Sequence, residues 1–140
     1  MKLKKKKRIG FKTCLVLGLV VVLLDWLVQG YFRNLGIGVA NLGISFGLGS
    51  EIAWFWKVLP AGIFLALLGY EFVFKTRPSV YLICLGLGGL GNLVPRLVFG
   101  NVWDYISLPF WGLWINLSDI LISISVLSYI LSADETRSSL

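Results

Sequence analysis

Four apolar runs, each near the length of a bilayer crossing, alternate with shorter stretches of different pattern along this chain. A crossing helix needs roughly 20 predominantly apolar residues. The runs predict helices over about residues 11–28, 53–74, 79–99 and 113–131. Between the first two lies GYFRNLGIGVANLGISFGLGSE, where apolar residues alternate with glycine and polar residues. That period of two suits short strands and tight turns. NVWDYISL, after the third run, alternates in the same way. KTRPS, between the second and third, is a tight polar turn, and the ADETRSSL tail reads as frayed. The expected fold is an all-α membrane protein: four transmembrane helices in one domain over 1–140, with a small β-rich extracytoplasmic cap at about 30–52.

Composition supports a membrane as the solvent. Of 140 residues, 57% are hydrophobic, more than a soluble domain of this length needs. Seven of the 13 basic residues fall in MKLKKKKRIGFK. With Lys75, Arg77 and Arg137, ten lie on one side, against Arg33, Lys57 and Arg96 on the other. This imbalance places both termini in the cytoplasm. A basic tail alone would suit nucleic acid, but an apolar span follows at once, so no nucleic-acid partner is expected. The first run continues to Leu24-Asp25-Trp26 without a small-residue cleavage site, which argues for a retained helix over a cleaved signal peptide. All six tryptophans (Trp26, Trp54, Trp56, Trp103, Trp111, Trp114) fall at the outer ends of helices or in outer loops. They form an aromatic belt, or anchor a structured surface on the outer leaflet.

The chain contains no histidine, which excludes Ser-His-Asp and Cys-His triads and argues against a zinc site. Cys14 and Cys84 lie inside predicted helices near the cytoplasmic end, and neither is placed for a disulfide or a metal. No metal or cofactor is expected.

Polar residues instead gather in one layer. Asp25 lies about 20 Å along its helix from Lys12 at 1.5 Å per residue, in the outer part of an apolar core about 30 Å thick. Asn92 sits at matching depth with Arg96 one turn later on the same face. Asn116 and Asp119 share a face at the start of the fourth helix, and Asp104 follows the Gly100 turn. Ionisable groups at such depth are costly and seldom lack a role. Two neighbouring carboxylates share one proton. The ionised member can take a proton from water while the protonated member polarises a carbonyl, which is hydrolysis without metal or histidine.

These motifs resemble the lipoprotein signal peptidases (signal peptidase II), four-helix aspartic endopeptidases of bacterial membranes. The resemblance runs from LLDWLVQ to WINLSDI in the family's order. NLGISFG matches its Asn-x-Gly-x-x-Phe-Gly segment through Asn41, Gly43 and Phe46. GGLGNLVPRLVFGNVWDYI stands where the family has Gly-Gly-x-x-Gly-Asn-x-x-Asp-Arg followed by Gly-x-Val-x-Asp-Phe. INLSD matches Phe-Asn-x-Ala-Asp. The resemblance implies Asp104 and Asp119 as the catalytic pair, supported by Asp25, Asn41, Asn92, Arg96 and Asn116. Asn41 would hydrogen-bond the substrate backbone under the cap. The implied partners are prolipoprotein signal peptides ending before a diacylglyceryl-modified cysteine, together with membrane lipids; oligomeric state is open. The implied location is the bacterial inner membrane, with the site at the extracytoplasmic face. The chain departs from the pattern at Gln29 (usually lysine), Pro95 (usually aspartate) and Ser118 (usually alanine).

Other readings stand beside this one. Asp25 suits a structural carboxylate, paired with Arg96 or capping a neighbour. Asn92 also suits interhelical glue, and Arg96 a snorkelling cation. Gly86, Gly88, Gly89 and Gly91 suit close helix packing rather than phosphate binding, because no strand precedes GLGGLG. Glu71 and Lys75 form an ordinary i,i+4 pair. The rival functions are a non-catalytic relative, for which Gln29 and Pro95 argue, and a small proton-coupled transporter, against which the off-centre Asp25 and the long outer segment argue.

Overall fold

The first apolar run forms α1 (Phe11–Leu35) in the computed structural model, which describes residues 10–42, 62, 66, 69, 73 and 79–137, apart from the side chains of 132–137. The helix extends seven residues beyond the expected end at 28. Gly30 is accommodated inside it, since glycine within a helix costs only about 1 kcal/mol relative to alanine. The true stop is Gly36, left-handed at φ 67°, whose N–H returns to the carbonyl of Arg33. The cap therefore begins at Gly36, not at residue 30.

The third run forms α2 (Val80–Phe99), closed by Gly100 at φ 76° with its N–H on the carbonyl of Arg96. The last run forms α3 (Leu117–Arg137), four residues later than the expected start at 113, because Leu113–Ile115 is a strand. Both α1 and α2 are long and apolar enough to cross a membrane. Of the expected span 53–74, only Gly62, Ala66, Gly69 and Val73 are described, and all four are helical. The rest of that span, cap residues 43–52, the basic tail 1–9, the 74–78 turn and the Glu71–Lys75 pair lie outside the described residues.

Glycine sets the helix spacing. A Cβ on Gly18 of α1 would collide with Leu87 of α2. One on Gly91 would strike Ser118 of α3, and one on Gly88 would lie 2.7 Å from Ile122 Cγ1 and 2.9 Å from the Ser118 carbonyl. Backbones approach this closely in membranes only where side chains are small. A Cβ on Gly89 would meet nothing within 4 Å among the described residues. The pairs Cys14–Cys84, Gly18–Leu87 and Trp26–Gly91 show that α1 and α2 run parallel. Gly91–Ser118 and Gly88–Ile122 show α3 running antiparallel to α2. A small apolar core of Val22, Ile83 and Leu87 fills the junction, backed by Leu15, Trp26 and Leu121.

Two sequence expectations change here. Cys14 and Cys84 are paired as a disulfide, with Cα atoms 6.9 Å apart. Hydropathy placed them at similar depth but could not show that the parallel packing turns them towards each other. Trp26 does not present its N–H to water: the indole donates to the carbonyl of Gly91 at 2.9 Å. Pro95 lies inside α2 and has no N–H to offer that same carbonyl, four residues earlier. The Trp103 indole likewise donates to the backbone carbonyl of Ile37, at 2.9 Å.

The cap contains two antiparallel pairs. β1 (Val39–Asn41) pairs with β2 (Val102–Asp104), setting Val39 opposite Asp104 and Asn41 opposite Val102. β3 (Ile106–Leu108) pairs with β4 (Leu113–Ile115) across a short 3-10 turn, Pro109–Trp111. Gly38, at φ 114°, is required where the chain passes β2: a Cβ there would meet the Asp104 carbonyl and lie 2.9 Å from the Trp103 indole nitrogen. Phe110 and Trp111 at the turn are 98% and 73% exposed, an apolar tip at the end that carries the polar cluster.

Candidate active site

Among the described residues the largest fully buried side chains are Val102, Asn116, Asp25, Asp104 and Ser118, so the most buried part of this interior is mostly polar. Buried polar groups of this kind must find partners.

Asn116 precedes α3 and acts as its N-cap. Its Oδ1 accepts the backbone N–H of Asp119 at 3.0 Å, and Asp119 Oδ2 accepts the backbone N–H of Asn116 at 3.2 Å. This reciprocal capping box satisfies two otherwise orphaned donors and fixes Asp119 at the positive end of the helix dipole. With Oδ1 committed to an N–H, the amide nitrogen of Asn116 faces the other way. It donates to Asp104 Oδ1 at 2.8 Å and to Asn92 Oδ1 at 3.0 Å. Asn92 Nδ2 in turn donates to Asp119 Oδ1 at 2.7 Å. Asp104 and Asp119 are thus joined through two interlocked amides. Asn41 completes the set from β1, donating to Asp104 Oδ2 at 2.9 Å.

Each carboxylate oxygen accepts one of these donors, and a carboxylate offers about four acceptor sites, so each oxygen retains capacity for water or substrate. Arg96 is buried, and its Nη1 donates to the Asn92 carbonyl at 3.2 Å. Its charge acts on both aspartates. Burial pushes the Asp104 carboxyl up to about 6, and the charge of Asp119 adds to the rise. The Asn41 and Asn116 hydrogen bonds and Arg96 oppose it.

Asp25 occupies a second, adjoining cluster. Its Oδ1 accepts the Tyr105 hydroxyl at 2.7 Å and the Leu117 N–H at 3.1 Å. Its Oδ2 accepts Gln29 Nε2 at 3.0 Å, the Ser118 N–H at 3.2 Å and the Ser118 hydroxyl at 2.5 Å. Asp25 therefore caps the first turn of α3 from another helix, covering the two N–H groups that the Asn116 box leaves open. Of the two structural roles considered for Asp25, the cap is the one these contacts describe.

The structure thus brings Asp104, Asp119, Asn41, Asn92, Arg96 and Asn116 into one network, with Asp25 beside it. Asn41 points to Asp104. Sequence reasoning did not count Gln29, Tyr105 and Ser118 as site residues. A signal existed: the family pattern has lysine, phenylalanine and alanine at these positions, and the three replacements all donate to Asp25. Among the described residues no cluster of three or more His, Cys, Asp or Glu could hold a metal ion.

Comparison with known proteins is consistent with this geometry. Two solved structures, each described as a bacterial membrane enzyme, superpose with TM-scores of 0.79 and 0.69. The first covers 96% of this chain and 95% of its own at 22% identity, the second 94% and 97% at 23%. These share the fold. The lipoprotein signal peptidase of Anaplasma phagocytophilum is 37% identical over 110 residues, which span 71% of this chain and 69% of the relative. That of Chlorobaculum parvum is 30% identical over 119 residues, spanning 75% and 70%. The family model described as Signal peptidase (SPase) II matches residues 17–133, every site residue named above included. The chain belongs to the signal peptidase II family.

Proposed function

We propose that this protein is a membrane aspartic endopeptidase that removes the signal peptide from diacylglyceryl-modified prolipoproteins, with Asp104 and Asp119 as its catalytic pair. The observation that carries the reading is the amide bridge through Asn116 and Asn92, which holds the buried Asp104 and half-buried Asp119 carboxylates, from separate elements, in one hydrogen-bonded unit. Such a pair keeps one proton between its members.

The chemistry follows from that single proton. The ionised carboxylate takes a proton from a water molecule as the water oxygen bonds to the scissile carbonyl carbon. The protonated carboxyl gives its proton to the carbonyl oxygen, forming a neutral diol. The C–N bond breaks as the first proton passes to the leaving nitrogen. One diol hydroxyl then returns a proton to the other carboxylate, and the pair again holds one proton. Arg96 limits the charge at the pair, and Asn41 supports Asp104 from the cap.

The setting is a bacterial cytoplasmic membrane crossed four times, with both termini in the cytoplasm and the site at the extracytoplasmic face. The diacylglyceryl chains of the substrate would hold the scissile bond at headgroup depth, so the membrane supplies much of the positioning. The exposed Phe110–Trp111 tip suits the same interface.

The test is cleavage by the purified protein of one prolipoprotein presented with and without diacylglyceryl on its cysteine. Cleavage before the modified cysteine only is expected. An intact modified precursor, or equal cleavage of both forms, overturns the reading.

A further inference from the structure

Gln29 is buried and uses both ends of its amide. Nε2 donates to Asp25 Oδ2 at 3.0 Å, and Oε1 accepts the backbone N–H of Trp103 at 3.3 Å. Trp103 directly precedes Asp104 in β2. Asp25 in turn holds the N–H groups of Leu117 and Ser118, and Ser118 directly precedes Asp119. Tyr105, which directly follows Asp104, reaches the same carboxylate and also accepts the Leu117 N–H at 3.3 Å. The chain on both sides of Asp104 and the chain just before Asp119 are therefore fastened to one buried point on α1.

We propose that Gln29 is a positioning residue for the aspartate pair: through Asp25 it locks the strand carrying Asp104 to the helix start carrying Asp119. The role needs a donor and an acceptor on one side chain. An ammonium group in its place can satisfy Asp25, but it has no acceptor for the Trp103 N–H. Gln29 is thus not a neutral stand-in for a cation; it adds a tether to β2 that a cation cannot make. The carboxylates have no direct contact with Gln29, so it acts through backbone placement, to which rates are steep: an error of about 1 Å can cost on the order of a hundredfold.

The inference rests on the peptidase reading, and two measurements separate their failures. The first is kcat and KM for cleavage of a diacylglyceryl-modified prolipoprotein by wild type, Gln29→Met and Gln29→Lys. The second is amide hydrogen exchange at Trp103, Leu117 and Ser118 in the same proteins. In both variants kcat falls about tenfold with KM within about twofold, and exchange at Trp103 accelerates. Gln29→Lys keeps a donor for Asp25, so it retains protection at Leu117 and Ser118; Gln29→Met loses part of it. Unchanged kcat in both variants, a change confined to KM, or recovery of wild-type kcat by Gln29→Lys overturns the inference. If wild type does not cleave, the peptidase reading fails, and unaltered exchange at Trp103 in Gln29→Met overturns the tether separately.

Discussion

Trp26 supplies from α1 the hydrogen bond that Pro95 withholds inside α2. The Gly91 carbonyl would be the acceptor for an N–H at position 95; with proline there, the indole donates instead at 2.9 Å. A residue that departs from the family pattern is thus accommodated by a neighbouring helix. Removing the indole N–H by Trp26→Phe leaves a carbonyl unsatisfied inside the bundle, at a cost of about 1–3 kcal/mol. In a Pro95→Ala background the carbonyl regains a partner within its own helix, and Trp26→Phe should cost less than about 1 kcal/mol. Unfolding in detergent of the four proteins of this cycle measures the coupling. Equal costs in both backgrounds would show that the two residues are independent.

Gly91 also faces Ser118, so its absent side chain controls the site. Gly91→Ala forces apart α2 and the start of α3, where Ser118 is fully buried against Asp25. Overpacking of this kind costs about 1–3 kcal/mol. Among the described residues nothing lies within 4 Å of a Cβ built on Gly89, and Gly89→Ala should leave stability unchanged or slightly improved. Activity and thermal unfolding of the two variants, side by side, check the contrast. A loss in Gly89→Ala equal to that in Gly91→Ala would contradict the packing described.

Burial raises the Asp104 carboxyl to about 6, so the proposed pair is expected to hold its proton below that pH and lose it as pH rises. The profile of kcat/KM, which reports the free enzyme, should therefore fall on its basic side with a midpoint near 6. The Asn41 amide donates to Asp104 Oδ2 and favours the ionised form. Asn41→Ala removes that donor, and the basic limb should move to higher pH. A limb that stays in place or moves down would show that Asn41 does not act on Asp104.

Much of this arrangement was legible in the sequence, for physical reasons that differ by element. The long apolar runs gave α1 and α2, because hydropathy measures the same quantity that burial in lipid rewards. The alternation in NVWDYISL gave β2 and β3. Boundaries slipped where patterns merge: α1 runs on to Leu35 into the alternating segment, and the apolar Leu113–Ile115 read as helix although it pairs with Ile106–Leu108. The depths of Asp25, Asn92 and Asp119 followed from residue rise alone. Their partners did not, since hydrogen bonds between helices across 27 to 93 positions depend on how the helices are rotated about their axes. That rotation also turned Cys14 towards Cys84 and drew Tyr105 to Asp25. The clearest hint available was that Gln29 and Ser118 are both polar replacements within one motif set.

The central claim is that Asp104 and Asp119 act as one unit around one proton. The most direct measurement is the cleavage rate of a lipid-modified prolipoprotein by Asp104→Asn, Asp119→Asn and the double variant. Groups that act together are strongly non-additive. Each single change should reduce kcat by at least about a thousandfold, and the double variant should be no slower than the worse single one. Multiplying losses, or substantial turnover by either single variant, would contradict it.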